Sequence, residues 1–273
     1  IERKLWRAWK LLRHRAVAPQ TALTVFVAGM QRSGTNMLME ALEWSAHTDV
    51  YHETDARAFD NYEMRPRDVI RDLADRSRAP AFVIKSLCEL DQIGSLMNAF
   101  EPSKAVWIVR DFDDTVNSAT RSFGHFAHQV HRLAKNKAAA SWRGRGMSDQ
   151  TQAQLRRLDH PGLTDGSAAA LMWYYRNVLL FEQGLERDPR VMVVRYESLV
   201  RNPRLELREV FGFLGLPDWS PWVSRYIHPR SVGKSPRADI EPGIRELCEG
   251  LQSRFDALVA AMARGATGRA TVP

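Results

Sequence analysis

The six residues "LTVFVA", Leu23–Ala28, run into "GMQRSGTN" and then into "MLMEALEW", and no other stretch restricts the fold as much. The first run is β-branched and aromatic, as a buried strand requires. Met37 to Trp44 carries apolar residues at helical spacing. Gly29 and Gly34 permit a tight reversal between the two. A strand that turns directly into a covering helix commonly returns as a parallel strand, so this one unit already argues for a parallel sheet.

The alternation recurs along the chain. "DVYH" reads as a short strand, Arg67 to Arg76 as a helix and "AFVIK" as a strand. Glu89 to Phe100 reads as a helix, "AVWIVR" as a strand and Asp113 to Ser122 as a helix. Ala168 to Arg187 is a long helix before the strand "RVMVVRY", and a last helix spans Gly243 to Ala263. Continuous apolar strands between helices describe a sheet covered on both faces. The expected fold is α/β: a single domain, residues 21–273, with a central parallel sheet flanked by helices. Residues 123–165 break the rhythm; they are cationic and polar, hold one helix at Phe126 to Lys135, and read as a lid-like insertion. His125, His128 and His131 recur there every third residue, which is not a zinc-ligand spacing.

Residues 1–20 stand apart. Ile1, Leu5, Trp9 and Leu12 share one helical face with Trp6 beside them, and Arg3, Lys4, Arg7, Lys10 and Arg13 fill the rest. Such a basic amphipathic helix either packs its stripe on the body or docks on an anionic membrane. The formal net charge is +7, of which the first fifteen residues, with six Lys/Arg and one acid, carry +5. The body is therefore nearly neutral, and a nucleic-acid partner is not expected. Cys88 and Cys248 are too few for a disulfide framework or a zinc site. With no bilayer-length apolar run and no signal-peptide pattern, the expectation is a cytoplasmic protein, peripheral on a membrane if the helix docks there.

The Gly-bounded turn carries chemistry as well as geometry. Backbone N–H groups at a helix N-terminus bind anions, and Ser33, Thr35 and Arg32 add hydroxyls and a permanent cation. Phosphoryl-transferring loops place lysine after the second glycine; here that position is Thr35. ATP chemistry moves a group with about two negative charges and uses Mg²⁺ and lysine, whereas a sulfuryl group carries about one fewer. Arginine, lysine and backbone donors can stabilise that smaller charge by positioning and electrostatics alone.

With these residues in view, "GMQRSGTNML" resembles the 5′-phosphosulfate loop of sulfotransferases that use 3′-phosphoadenosine 5′-phosphosulfate (PAPS). "KAVWIVRDFDDTVNSATRSF" is similar to the family's 3′-phosphate motif, a strand ending in arginine and a helix with serine eight positions on. "VMVVRYESLVRNPRLELREVFGFLGLP" resembles the family's late strand and the segment after it. The resemblance implies a P-loop NTPase-like sulfotransferase fold, PAPS as co-substrate and no metal. It implies Arg32, Ser33, Gly34, Thr35 and Asn36 at the 5′-phosphosulfate, Arg110 and Ser118 at the 3′-phosphate, and Tyr196 near the nucleotide. Arg230 and Lys234 would sit in a basic loop closing over it. The structural alternatives are an Arg110 ion pair with Asp113 or Asp114, and a merely solvated basic loop.

The base differs between family branches. Cytosolic members carry Lys-x-His where this chain reads Lys85-Ser86-Leu87. Tyrosylprotein and several carbohydrate sulfotransferases use a glutamate after the first helix, and "VYHETDARAF" offers Glu53 there, with His52 adjacent. Both fall at the rim where α/β sheets hold ligands, and a carboxylate shielded by substrate is suited to proton abstraction. Glu89 and Asp91 are the alternative bases, an ion pair with Arg57 the structural alternative for Glu53, and Lys85 is placed to touch the bridging oxygen or the acceptor. The expected activity is sulfuryl transfer from PAPS to a hydroxyl or amine, with a glycan or glycolipid as the leading acceptor. The rival readings are a P-loop kinase and a catalytically silent nucleotide- or glycan-binding protein.

Overall fold

Five strands, all parallel, form the sheet at the centre of the computed structural model, in the order β2-β5-β1-β6-β7. The structure describes residues 2–15, 22–217, 224, 227, 233 and 236–269. The strands are β1 (Leu23–Ala28), β2 (Thr48–Tyr51), β5 (Ala81–Ser86), β6 (Ser103–Val109) and β7 (Val191–Arg195); β3 (Phe59–Asp60) and β4 (Glu63–Met64) form a separate small hairpin. The helices are α1 (Glu2–Arg15), α2 (Thr35–Glu43), α3 (Arg67–Arg76), α4 (Ile93–Ala99), α5 (Phe112–Ser122), α6 (Phe126–Lys135), α7 (Asp149–Leu158), α8 (Asp165–Glu182), α9 (Tyr196–Arg201), α10 (Pro203–Leu214) and α11 (Pro242–Arg269). No helix among the described residues is long and apolar enough to cross a membrane.

Alternate residues of β1 serve two cores. Val25 and Val27 pack with Leu38, Met39 and Leu42 of α2 and with α9 and α10. Phe26 and Ala28 face the larger core built by α4, α5, α6, α8 and α11. Covering helices on both sides explain why every residue of β5 is buried, including Lys85. Because all strands are parallel, the residues that follow β1, β2, β5, β6 and β7 emerge at one edge. The chain leaves β1 toward β2 and leaves β5 toward β6, so its direction across the sheet reverses beside β1, the position at which such sheets bind ligands.

The insertion is more ordered than its composition suggests. Helix α6 spans Phe126–Lys135 as expected and buries Phe126, Val130 and Leu133. A second helix, α7, starts at Ser148, whose hydroxyl accepts from Thr151 N. It escapes an apolar-period search because its buried face is Thr151, Gln152 and Leu155. Helix α8 ends at Glu182 rather than Arg187: Gly184, at φ 69°, breaks it before a short 3₁₀ turn.

Helix α1 packs on the body with its polar side inward. Arg7 donates to both carboxylate oxygens of Glu43, at 3.0 and 2.9 Å. Lys10 Nζ donates to the Glu43 carbonyl at 2.9 Å and Trp6 Nε1 to the same oxygen at 3.0 Å. Lys10 is only 5% exposed, and burial pushes its ammonium down to about 8. Of the two readings open for this helix, packing on the body is present but made through the polar side, since Leu5, Trp9 and Leu12 are 66%, 45% and 65% exposed. The physical reason is Glu43, a buried carboxylate at the end of α2 that draws the cationic side of α1 onto itself.

Candidate active site

The loop between β1 and α2 is built by strained positions. Gly29 has φ 147°, and a side chain there would meet the Ile108 carbonyl oxygen at 2.4 Å. Gly34, at φ 101°, leaves no room either, since a Cβ would lie 2.3 Å from Cδ2 of Tyr196. Arg32 itself takes a left-handed φ of 70° and is exposed. Ser33 is buried in the turn, and its hydroxyl donates to the Met30 carbonyl at 2.6 Å. Thr35 is buried at the first position of α2, and Asn36 is exposed beside it. The first-turn N–H groups of a helix have no intrahelical acceptor, so the α2 terminus offers donors and the positive end of its dipole to an anion.

The second element meets the first. Arg32 Nε donates to the Ser118 hydroxyl at 3.0 Å, joining the loop to α5. Arg110, buried just past the end of β6, donates through NH1 to the Arg32 carbonyl at 3.3 Å and lies over the Tyr196 ring at 4.6 Å. Its NH2 stands 3.6 Å from Asp114, and Asp114 also accepts from the Gly233 amide at 3.1 Å. Asp113 turns away to a two-pronged pair with Arg245, at 2.9 Å on each branch. Arg32, Arg110, Ser118 and Tyr196 are thus one connected group. Arg230 and Lys234 lie outside the described residues.

The third element is an ion pair across neighbouring strands. The pairing of Tyr51 with Ile84 carries the ends of β2 and β5 out side by side. Lys85 Nζ donates to Glu53 Oε1 at 2.5 Å and also to Asn36 Oδ1, which ties the pair to the start of α2. The Lys85 side chain is 1% exposed and that of Glu53 18%. Burial pulls the Lys85 ammonium down from its ordinary value, and Glu53 opposes that shift. Arg57 pairs with Asp55 at 2.6 Å instead of with Glu53. His52 turns its ring to Glu43 Oε2, 3.2 Å away.

Glu89 and Asp91 have different surroundings. Glu89 is buried, accepts from the Met64 amide at 2.8 Å and has Arg145 at 4.0 Å. Burial raises both carboxyls above their ordinary range. Sequence reasoning does not single out Glu43, because its partners Arg7, Lys10 and His52 lie 36, 33 and 9 residues away and only the fold brings them to it. A cleft of about 710 Å³ opens beside Asp114, between the start of α5, α9 and α11, and none of Arg32, Glu53 and Lys85 lines it. Among the described residues, no three His, Cys, Asp or Glu side chains gather as a metal site.

An all-parallel sheet whose first strand turns through a glycine-bounded loop into a helix, with two arginines joined at that loop, is a P-loop-like arrangement suited to an anionic group. The sulfotransferase domain family model matches residues 23–232. The chain belongs to the sulfotransferase family, whose sulfuryl donor is PAPS. A sulfotransferase from Alicyclobacillus acidocaldarius shares the fold at a TM-score of 0.50, with 17% identity, over 89% of this chain and 96% of that one. The sulfotransferase domain of the Synechococcus PCC 7002 olefin synthase does so at 0.51, with 15% identity, over 85% and 96%. No curated protein matches the chain.

Proposed function

We propose that this sulfotransferase moves the sulfuryl group of PAPS to a hydroxyl or amine of a glycan or glycolipid, with Glu53 as the base. The observation that carries the reading is the Lys85–Glu53 pair at 2.5 Å, tethered through Asn36 to the helix that starts at the Arg32 loop. A base must stand within hydrogen-bond reach of the acceptor and of the group being transferred, and this tether supports that placement. The acceptor oxygen gives its proton to the Glu53 carboxylate as it attacks sulfur. The bond from sulfur to the bridging phosphate oxygen breaks, and 3′-phosphoadenosine 5′-phosphate leaves with the released charge. Arg32 and Lys85 offset that charge. Arg110 and Ser118 hold the 3′-phosphate, the group that distinguishes this donor from ATP, and Tyr196 packs beside it. Ser33, Gly34, Thr35 and Asn36 frame the 5′ end, with Arg230 and Lys234 as closing cations.

The carbohydrate-type acceptor rests on two features. Leu87 stands where the phenol and steroid branch has histidine, and Glu53 stands where carbohydrate branches have their base. His52, bound to Glu43, acts as a positioner of the Glu53 loop in this reading. A cytoplasmic site of action belongs to the same proposal and is supported by Cys88 and Cys248, both unpaired. The test is turnover of PAPS with a panel of sugar, glycolipid and phenolic acceptors. Turnover with the sugars or glycolipids that Glu53→Gln removes supports the reading. Turnover with phenols alone would overturn the acceptor class.

A further inference from the structure

A helix with one apolar stripe ordinarily buries that stripe against its own core. Helix α1 does the reverse. Arg7, Lys10 and Trp6 clamp it on Glu43, and His14 Nε2 lies 3.0 Å from the Ala46 carbonyl oxygen. The opposite side presents Leu5, Trp9 and Leu12 to solvent as one row. Trp9 is braced in place, stacked on Trp6 at 4.8 Å with the Arg13 guanidinium 5.5 Å above its ring. Trp6 in turn packs on Trp44 at 5.8 Å.

We propose that α1 is a fixed docking surface for an anionic lipid membrane, its apolar stripe entering the lipid interface while Arg13 beside it meets the headgroups. The occupant is argued from charge. The helix carries six Lys/Arg against one acid, and with Arg7 and Lys10 turned to Glu43 it still holds a cationic excess, while the rest of the chain is nearly neutral. Arg13 borders the stripe, and tryptophan favours the boundary between apolar and wet layers. A second copy of this chain would bring the same cationic helix against itself, Arg13 against Arg13, which repels. The clamp gives the stripe its exposure at no cost in folding on contact, because the helix is already formed and held. Glu43, which holds Arg7, also holds His52, and His52 precedes Glu53 in the chain, so α1 is clamped to the segment that carries Glu53.

The test uses the full chain and co-sedimentation with phosphatidylcholine vesicles, with and without phosphatidylglycerol. Deletion of α1 is a poor variant because it uncovers Glu43. Leu5→Ser with Leu12→Ser keeps the clamp and the Trp6–Trp9 stack. The parent protein should pellet with the anionic vesicles, stay in solution with neutral ones, and be released as salt shortens the range of the attraction. The double variant should bind at least about tenfold more weakly at an unchanged melting temperature. A parent protein that does not pellet overturns the proposal, and so does a double variant that pellets equally well. A parent dimer that the double variant dissociates, without vesicle binding, would instead assign the stripe to self-association. Vesicle binding needs no turnover, so it is independent of the acceptor chosen above.

Discussion

Arg32 and Ser118 are 86 residues apart in the chain and joined by a hydrogen bond of 3.0 Å. The link couples the β1–α2 loop to α5, with Arg110 bound to the backbone of the same arginine. In the proposed reading, one donor molecule is gripped at both ends by this single connected group.

The first prediction concerns that grip. 3′-Phosphoadenosine 5′-phosphate should bind more tightly than AMP without added metal. Arg110→Ala should remove about 1.5–3 kcal/mol of that preference, the worth of a charge-assisted contact. Calorimetry on both nucleotides reads it, and a parent protein that binds the two equally contradicts the assignment. Arg110 also stacks on Tyr196, so the melting temperature of the variant must be followed alongside.

The loop should be intolerant of the smallest side chain. Gly34→Ala combines a backbone at φ 101° with a Cβ placed 2.3 Å from the Tyr196 ring. Strain of that kind costs about 1–3 kcal/mol, and the ring must also move out from under Arg110. Loss of nucleotide binding with lowered thermal stability is the expected result. A variant that melts and binds like the parent protein would show that the loop opens readily.

Arg32 is expected to act on charge in flight. Arg32 is exposed, and among the described residues its side chain bonds through Nε to Ser118, which in the proposed reading leaves its two terminal nitrogens to the substrate. Arg32→Ala should lower turnover more than nucleotide affinity, because the transition state gains charge at the bridging oxygen. An effect confined to affinity would make Arg32 a binding residue.

Glu53→Gln tests the base with little change of shape. The amide oxygen still accepts from Lys85, so the tether survives while basicity is lost. Nucleotide binding should stay near that of the parent protein, and turnover should fall about 10²-fold or more. An active Glu53→Gln beside an inactive Glu89→Gln would move the base to the buried carboxyl next to Met64.

What was legible in the sequence follows the physics of burial. The strands of the sheet are apolar runs because helices cover both faces, and such runs need no partner to be recognised. The loop residues Gly29 and Gly34 are legible because only glycine suits their backbone. The Glu53–Lys85 pair is not written in spacing: 32 residues separate them, and only the β2–β5 register brings them together. Helix α9 is hard to read from sequence, since it is a single short element directly behind β7. The orientation of α1 was hidden for another reason. Periodicity shows that a helix has two faces, but which face turns inward was decided by Glu43, far along the chain.

That clamp has a pH signature. Burial alone would raise the Glu43 carboxyl, but the hydrogen bonds from His52 and Arg7 and the charges of Lys10 and Arg7 outweigh it and hold it at about 2, against 4.5 ordinarily. A carboxyl depressed on folding contributes stability that is fully present above 4.5 and is lost as the pH falls toward 2. A difference of this size is worth roughly 3 kcal/mol at neutral pH. Glu43→Gln should therefore lose about that much at pH 7, through unfolding or through release of α1 seen as a change in tryptophan emission. The gap between parent and variant should close as the solution is acidified through this window. A gap that persists unchanged at the acid end would mean that Glu43 acts by shape and not by charge.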